Sequence, residues 1–291
     1  MSAQAALRSR ESVIVEGEYP FTKRNFDHIA TFLRETTGIS LNDAKAALVY
    51  SRLAKRLRKL GLPTFDDYCQ HIESADGGDE RHEMVNALTT NVTRFFREPH
   101  HFDYLRTELA PTLSQAAKQG KRIRLWSAAC SSGEEPYSMA ITLLDALPDA
   151  DRYDIKILAT DIDAKIIARA RAGVYRDEAV EPIPASMRDR WMAQERQGAT
   201  KLWRVKDAVR SLITFNELNL IGAWPMRGQF DVIFCRNVVI YFEEDTQAMI
   251  WRRFKECMRP DSRLFIGHSE RIDVPGFESA GLTIYKLGGV S

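Results

Sequence analysis

Residues Ile123 to Ser138 read IRLWSAACSSGEEPYS. Ile123 to Trp126 lean apolar, as a short strand does, and only small residues follow from Ser127 to Gly133. Glu134 and Glu135 then open a helix with Pro136 in its first turn, where a missing N–H costs nothing. A strand, a small-residue turn and a helix start form the opening unit of a doubly wound nucleotide-binding fold. The acidic pair narrows the nucleotide. Free N–H groups and the helix dipole make such a helix start electropositive, which suits a pyrophosphate. Two carboxylates there repel phosphate and favour a ligand with an ammonium group instead. S-adenosylmethionine is such a ligand.

Further along, the chain repeats the pattern. Ile155 to Ala159 is a short apolar strand that ends at Thr160-Asp161, with a helical run from Asp163. An acid at the end of the second strand is where such folds hold ribose hydroxyls, since a carboxylate can accept from both. Phe230 to Phe234 is a third strand of buried type and ends in Cys235-Arg236-Asn237. Arg263 to Gly267 is a fourth, ending in His268-Ser269-Glu270, and Thr283 to Leu287 reads as the last. Polar residues gathered at the C-terminal ends of apolar strands mark the ligand crevice of an open parallel sheet.

The strings LTTNVTRFFRE (Leu88 to Glu98), SAACSSGEEPYS (Ser127 to Ser138), ATDID (Ala159 to Asp163), FCRNVVIYF (Phe234 to Phe242) and GHSE (Gly267 to Glu270) resemble the CheR family. These are chemotaxis methyltransferases that esterify glutamates on chemoreceptors. The similarity runs from about Phe21 to Tyr285, with the motifs in the family's order. It implies a Rossmann-like S-adenosylmethionine-dependent methyltransferase domain behind a small all-helical domain. It also implies S-adenosylhomocysteine as product and the helical cytoplasmic bundle of a chemoreceptor as partner.

Composition agrees. The chain has 291 residues, 44% hydrophobic and 28% charged, which is ordinary globular usage and enough for two domains. A net charge of +1 gives no global pull toward nucleic acid. No apolar run of about 18 residues is present to span a bilayer. Ala5 to Leu7 is too short for a signal core before Arg8. Cys69, Cys130, Cys235 and Cys257 are far apart and form no CxxC pair, so they read as reduced thiols with no metal site. The expectation is a cytoplasmic monomer.

Residues 1–18 lack periodicity and are expected as a flexible tail. Residues 19–90 read as helical and receptor-docking. Phe26, Ile29, Phe32 and Leu33 recur at helical steps until Gly38. A second helix is expected after Asn42-Asp43, ending at Gly61. Another follows the loop at residues 74–79. Residues 91–110 are expected as a linker that contributes cofactor contacts, and 111–291 as the methyltransferase domain. Residues 175–214 exceed what one strand-helix step needs. Pro182 and Pro184 break that stretch, and Lys201 to Val205 alternates, which predicts a small antiparallel β insert.

From Ala44 to Leu60 the charged residues are all basic: Lys45, Arg52, Lys55, Arg56, Arg58 and Lys59. A solvated face would account for them blandly. Leu53, Leu57 and Leu60 make the helix amphipathic, however, and uncompensated positive charge favours an acidic partner. The resemblance implies that Arg52, Lys55, Arg56, Arg58 and Lys59 dock the receptor.

Asn91 and Thr93 could equally form a capping network, and Glu134 could simply stabilise its helix. The resemblance makes Asn91, Thr93, Arg97, Glu134, Asp161, Asn219, Leu220, Asn237 and Val238 cofactor contacts. His268 is expected as a structural cap of the fourth strand. The resemblance implies an SN2 methyl transfer to a glutamate oxygen. That carboxylate is already ionised at neutral pH, with a reference pKa of about 4.3, so no general base is required. Arg97, Arg236 and Tyr241 are the candidates to hold and align it. Asn237 to Tyr241 is loosely similar to the polar-aromatic motif of amino-methylating DNA enzymes, but Val238-Val239-Ile240 replaces its proline step. A nucleic-acid methyltransferase and a non-catalytic cofactor sensor are the rival readings.

Overall fold

The computed structural model describes residues 12–288. The chain divides into two compact units. One runs to Thr90 and includes Tyr241–Glu243; the other is Asn91–Ile240 with the chain from Glu244 onward.

The first unit opens with a strand, β1 (Val13–Val15), paired to β2 (Phe21–Thr22). Residues 1–11 of the expected tail lie outside the described residues, and its remainder holds this strand instead of loose chain. Helix α1 (Lys23–Thr37) is started by a capping box, in which Thr22 and Asn25 satisfy each other's backbone N–H groups. Gly38 ends it at φ 81°, a conformation glycine adopts without steric cost. Next comes a 3-10 turn at Asp43–Lys45 and then α2 (Ala46–Leu60). Asn42 makes no side-chain capping bond, so the expected cap is not formed. Two further helices are α3 (Phe65–Glu73) and α4 (Gly78–Leu88). Phe26, Ile29, Leu33, Leu53 and Leu57 are buried, as the helical spacing marked, and Phe32 is partly buried, but Leu60 is exposed because it sits at the last turn of α2; Phe65 and Tyr68 of α3 are buried as well.

The second unit begins earlier than expected. The stretch 91–110 is no linker: Phe95, Phe102 and Leu105 are buried in the same cluster as Leu125 and Phe234. It carries α5 (Pro99–Tyr104), followed by α6 (Ala110–Lys118). The central sheet alternates with helices: β3 (Ile123–Ala128), α7 (Glu134–Ala146), β4 (Ile155–Asp161) and α8 (Ala164–Ala172). The expected insert follows as β5 (Val174–Arg176), α9 (Ala185–Trp191), β6 (Met192–Gln197) and β7 (Thr200–Val205), an antiparallel sheet of order β5-β7-β6. Then come α10 (Asp207–Arg210), β8 (Ile213–Glu217), β9 (Phe230–Cys235), α11 (Glu244–Cys257), β10 (Met258–Ile266), β11 (Phe277–Gly281) and β12 (Ile284–Leu287).

The large sheet has order β11-β12-β10-β9-β3-β4-β8. Pairing is parallel from β10 to β8, while β12 runs antiparallel to β10, so the sheet is mixed. Strand order reverses around β3, with β4 on one side and β9 on the other; ligand crevices of such sheets open at this point. Among the described residues no helix is long and apolar enough to cross a membrane.

Candidate functional site

The register brings the strand ends level. Ala128 pairs with Thr160 on β4 and Cys235 on β9, and Cys235 pairs with Ile266 on β10. Beyond β3 the small residues of the turn adopt left-handed backbone at Ala129 (φ 60°), Ser131 (φ 51°) and Gly133 (φ 96°). A Cβ at Gly133 would lie 2.9 Å from the Tyr175 hydroxyl and 3.0 Å from Ala170 Cβ, so only glycine fits. The turn curls over β4: Cys130 N–H donates to the Thr160 carbonyl (2.8 Å) and Ser131 N–H to Asp161 Oδ2 (2.8 Å). Asp161 Oδ1 accepts from Asp163 N–H at 3.1 Å. The Asp161 carboxyl is 6% exposed, and burial pushes it up to about 6 in spite of these donors.

Asn91 joins the same cluster. Its Nδ2 donates to Asp163 Oδ2 (2.9 Å), and its carbonyl accepts from Ser131 Oγ (3.0 Å). Asp163 meanwhile caps α8 through the N–H groups of Lys165 and Ile166. The acidic pair divides its duties. Glu134 accepts from Ser132 Oγ at 2.6 Å, and burial raises its carboxyl above the usual range. Glu135 accepts from Ser127 Oγ at 2.7 Å and lies 3.4 Å from Arg236 Nη1. Asn219 and Leu220 follow β8 next to the same strand end, since Leu218 N–H donates to the Asp161 carbonyl (2.9 Å). Asn219 Oδ1 accepts from Ile221 N–H at 3.1 Å. Arg253 ties down this loop through the carbonyls of Leu220 (2.8 Å) and Gly222 (2.6 Å) and lies 4.0 Å from the centroid of Trp224.

Arg236 does not serve as expected. Its side chain is 1% exposed, and its guanidinium lies 3.5 Å from Glu98 and 3.4 Å from Glu135, 5.6 Å from the Phe102 and Phe234 rings. It also donates to the Arg97 carbonyl. A guanidinium so enclosed cannot meet a substrate carboxylate; it anchors the chain around Arg97 and Asn237. Glu98, to which the sequence pattern assigns no role, sits at φ 56° and accepts from the His268 N–H (3.2 Å) and lies 2.9 Å from His268 Nδ1. Burial would raise this carboxyl, but His268 and the Arg236 charge bring it down to about 2. His268 stands just past the end of β10. Its side chain is 68% exposed and pairs with Glu98. His101 is buried, and desolvation with the nearby Arg236 charge lowers it to about 3, so its ring is neutral.

Asn237 has φ 58°, and the N–H groups of Val238 and Val239 donate to Glu270, another carboxylate to which the sequence pattern assigns no role. Arg97 is half-buried, its Nη1 donating to the Val92 carbonyl at 3.1 Å, and Thr93 is half-buried on the same segment. Tyr241 belongs to the helical unit, where its carbonyl accepts from Ser40 N–H (2.8 Å). One bonded cluster thus gathers Asn91 and Asp161 around Ser131. A second links Arg97, Arg236 and Asn237 through Glu98 and Glu270. The donor set around Asp161 and Glu134 is acid, amide and hydroxyl, which fits a ribose and an ammonium and not a pyrophosphate.

In the helical unit, the basic charges of α2 are not uncompensated. Arg56 is 14% exposed and forms ion pairs with Glu80 (2.5 Å) and Glu83 (2.9 Å). Arg58 pairs with Glu18 at 2.8 Å. Arg52 donates to the carbonyls of Ala87, Leu88 and Thr89, closing the C-terminus of α4. The acids lie far off in sequence, which the pattern of the helix alone does not reveal. Lys45, Lys55 and Lys59 remain exposed.

Residues 91–284 match the family profile described as "CheR methyltransferase, SAM binding domain", and residues 24–89 match "CheR methyltransferase, all-alpha domain". The chain is 51% identical over 252 residues to a "Probable chemotaxis protein methyltransferase" of Rhizobium etli, covering 86% of this chain and 94% of that protein. It is 42% identical to "Chemotaxis protein methyltransferase 2" of Pseudomonas aeruginosa, covering 92% and 95%. It is 40% identical to the "Chemotaxis protein methyltransferase" of Escherichia coli, covering 90% of each chain.

Proposed function

The chain belongs to the CheR family of S-adenosylmethionine-dependent methyltransferases that modify chemoreceptors for adaptation, and from that premise we propose how its residues do so. The methyl acceptors are glutamate side chains of a receptor's cytoplasmic helical bundle, and the enzyme works as a cytoplasmic monomer. The observation that carries the site assignment is the bond between the turn after β3 and the acid that ends β4. Ser131 holds Asp161 at the end of β4, and Glu134 stands at the start of α7, where a nucleotide phosphate would otherwise dock.

The cofactor supplies an electrophilic methyl group on sulfur. Asp161, once ionised, accepts from two ribose hydroxyls. Glu134 faces the methionyl ammonium or the ribose. Asn219 and Leu220 flank the adenine, and Asn91, Thr93, Arg97, Asn237 and Val238 complete the contacts. The acceptor glutamate arrives ionised, so the task left to the protein is to strip its water and align one oxygen behind the methyl. Arg97 holds the other oxygen, and Arg236 fixes the Arg97 backbone. Docking rests on the exposed Lys55, Arg58 and Lys59 of α2, with Arg52 and Arg56 shaping the surface that presents them.

The test is transfer of labelled methyl to a receptor cytoplasmic fragment. A glutamate ester releases its label as methanol in mild alkali. Label that survives alkali marks nitrogen methylation and overturns the acceptor assignment.

A further inference from the structure

Asn237 stands between two buried anchors. Before it, Arg236 is enclosed by Glu98 and Glu135. After it, Val238 and Val239 donate their N–H groups to Glu270 Oε1 at 2.8 and 3.0 Å. The other oxygen of Glu270 accepts from Gly267 N–H, and the N–H of Asn237 also bears on this carboxylate. These donors are all backbone groups, and the carboxylate they surround is 4% exposed. Glu270 thus bonds two chain segments, one after β9 and one after β10.

The same place shows a second constraint. A Cβ at Gly267 would lie 2.8 Å from the Asn237 backbone nitrogen and would also strike its side-chain amide. Only glycine lets the two segments approach so closely. Asn237 itself sits at φ 58°, which asparagine tolerates better than most residues but does not choose unaided. A carboxylate that gathers consecutive N–H groups makes that backbone turn the preferred one. It also sets the direction in which the Asn237 side chain and the Val238 backbone leave the strand.

We propose that Glu270 is a positioning residue for cofactor binding: it locks the Asn237–Val238 turn in the conformation that meets the cofactor. The proposal rests on the reading of Asn237 as a cofactor contact. Glu270 itself does not touch the cofactor. Glutamine at this position keeps one acceptor but turns an N–H₂ group toward backbone N–H donors, so the clamp opens on one side.

Calorimetric titration with S-adenosylhomocysteine, on protein shown to be folded by circular dichroism, tests this in three variants. Asn237→Ala and Glu270→Gln should each weaken binding about tenfold. The double variant should bind as Asn237→Ala alone, because residues that act through one another are not additive. Wild-type affinity in Glu270→Gln, with only a lower melting temperature, gives Glu270 a purely structural role and overturns the proposal. So does a double variant in which the two losses multiply. Wild-type affinity in Asn237→Ala overturns the cofactor reading of Asn237 together with the role built on it. Should Glu270→Gln fail to fold, Gly267→Ala crowds the same asparagine without altering the carboxylate. It should show the same tenfold loss, and wild-type binding there counts against the proposal equally.

Discussion

The backbone N–H of Ser131 donates to Asp161 Oδ2 at 2.8 Å, so the turn after β3 and the acid that ends β4 are one bonded piece. The small residues of the turn allow this approach, and their left-handed backbone aims the N–H at the carboxylate. Burial without a cationic partner then raises the acid to about 6. A carboxylate in that state is poised to gain from any ligand that donates hydrogen bonds to its charged form.

The pH dependence of binding follows. Ribose hydroxyls favour the ionised Asp161 and lower its pKa, so binding expels whatever proton the free protein holds there. At pH 6 about half the molecules hold it, and S-adenosylhomocysteine should release about half a proton on binding. Affinity should fall as pH drops below about 6 and level off above neutrality. Calorimetry in two buffers of different ionisation enthalpy measures the proton count. Identical heats in both buffers at pH 6 would show that Asp161 does not titrate on binding.

Arg236 should act through stability. Arg236→Met leaves Glu98 with only His268 beside it and the mostly buried Glu135 without a counter-charge, at a cost of ~3–5 kcal/mol. Chemical denaturation should show a loss of that size. Adding Glu98→Gln and Glu135→Gln should restore part of it, because the stranded charges are then gone. A loss below ~1 kcal/mol in the single variant would mean that the enclosed guanidinium holds nothing.

The basic helix should separate into two kinds of residue. Arg56→Ala strands the 3% exposed Glu80 and should destabilise the protein by ~3 kcal/mol. Lys55→Glu with Lys59→Glu should leave the melting temperature nearly unchanged, since exposed charges contribute little. The lysine pair should raise the KM for receptor, leave cofactor affinity alone and remove much of the salt sensitivity, which reflects screening over about 8 Å. A wild-type receptor KM in that variant would reduce these lysines to a solvated face.

The strands and their polar ends were legible because a short apolar run that stops at an acid or an amide is the pattern a buried parallel strand makes where it opens on a crevice. The strands at Ile155 and Phe230 begin where the pattern put them, whereas β3 runs on through Ser127 and Ala128, two residues past the expected start of the turn. The insert was legible in the alternation of Lys201 to Val205. What sequence could not show was pairing at a distance. Glu98 and Glu270 lie inside quoted motifs, yet their work is to bind Arg236, His268 and the N–H groups of Val238 and Val239 across the fold. Arg56 looked free because Glu80 and Glu83 lie a helix away. The stretch 91–110 looked like a linker because Phe95, Phe102 and Leu105 bury one by one against different elements, without a period of their own.

Titration of S-adenosylhomocysteine into wild type and Asp161→Ala tests the crevice most directly. Wild type should bind with micromolar affinity or better. Asp161→Ala should lose ~1.5–3 kcal/mol, the value of charged hydrogen bonds to the ribose. Absence of binding by wild type, or the same affinity in both proteins, would contradict a cofactor held at the end of β4.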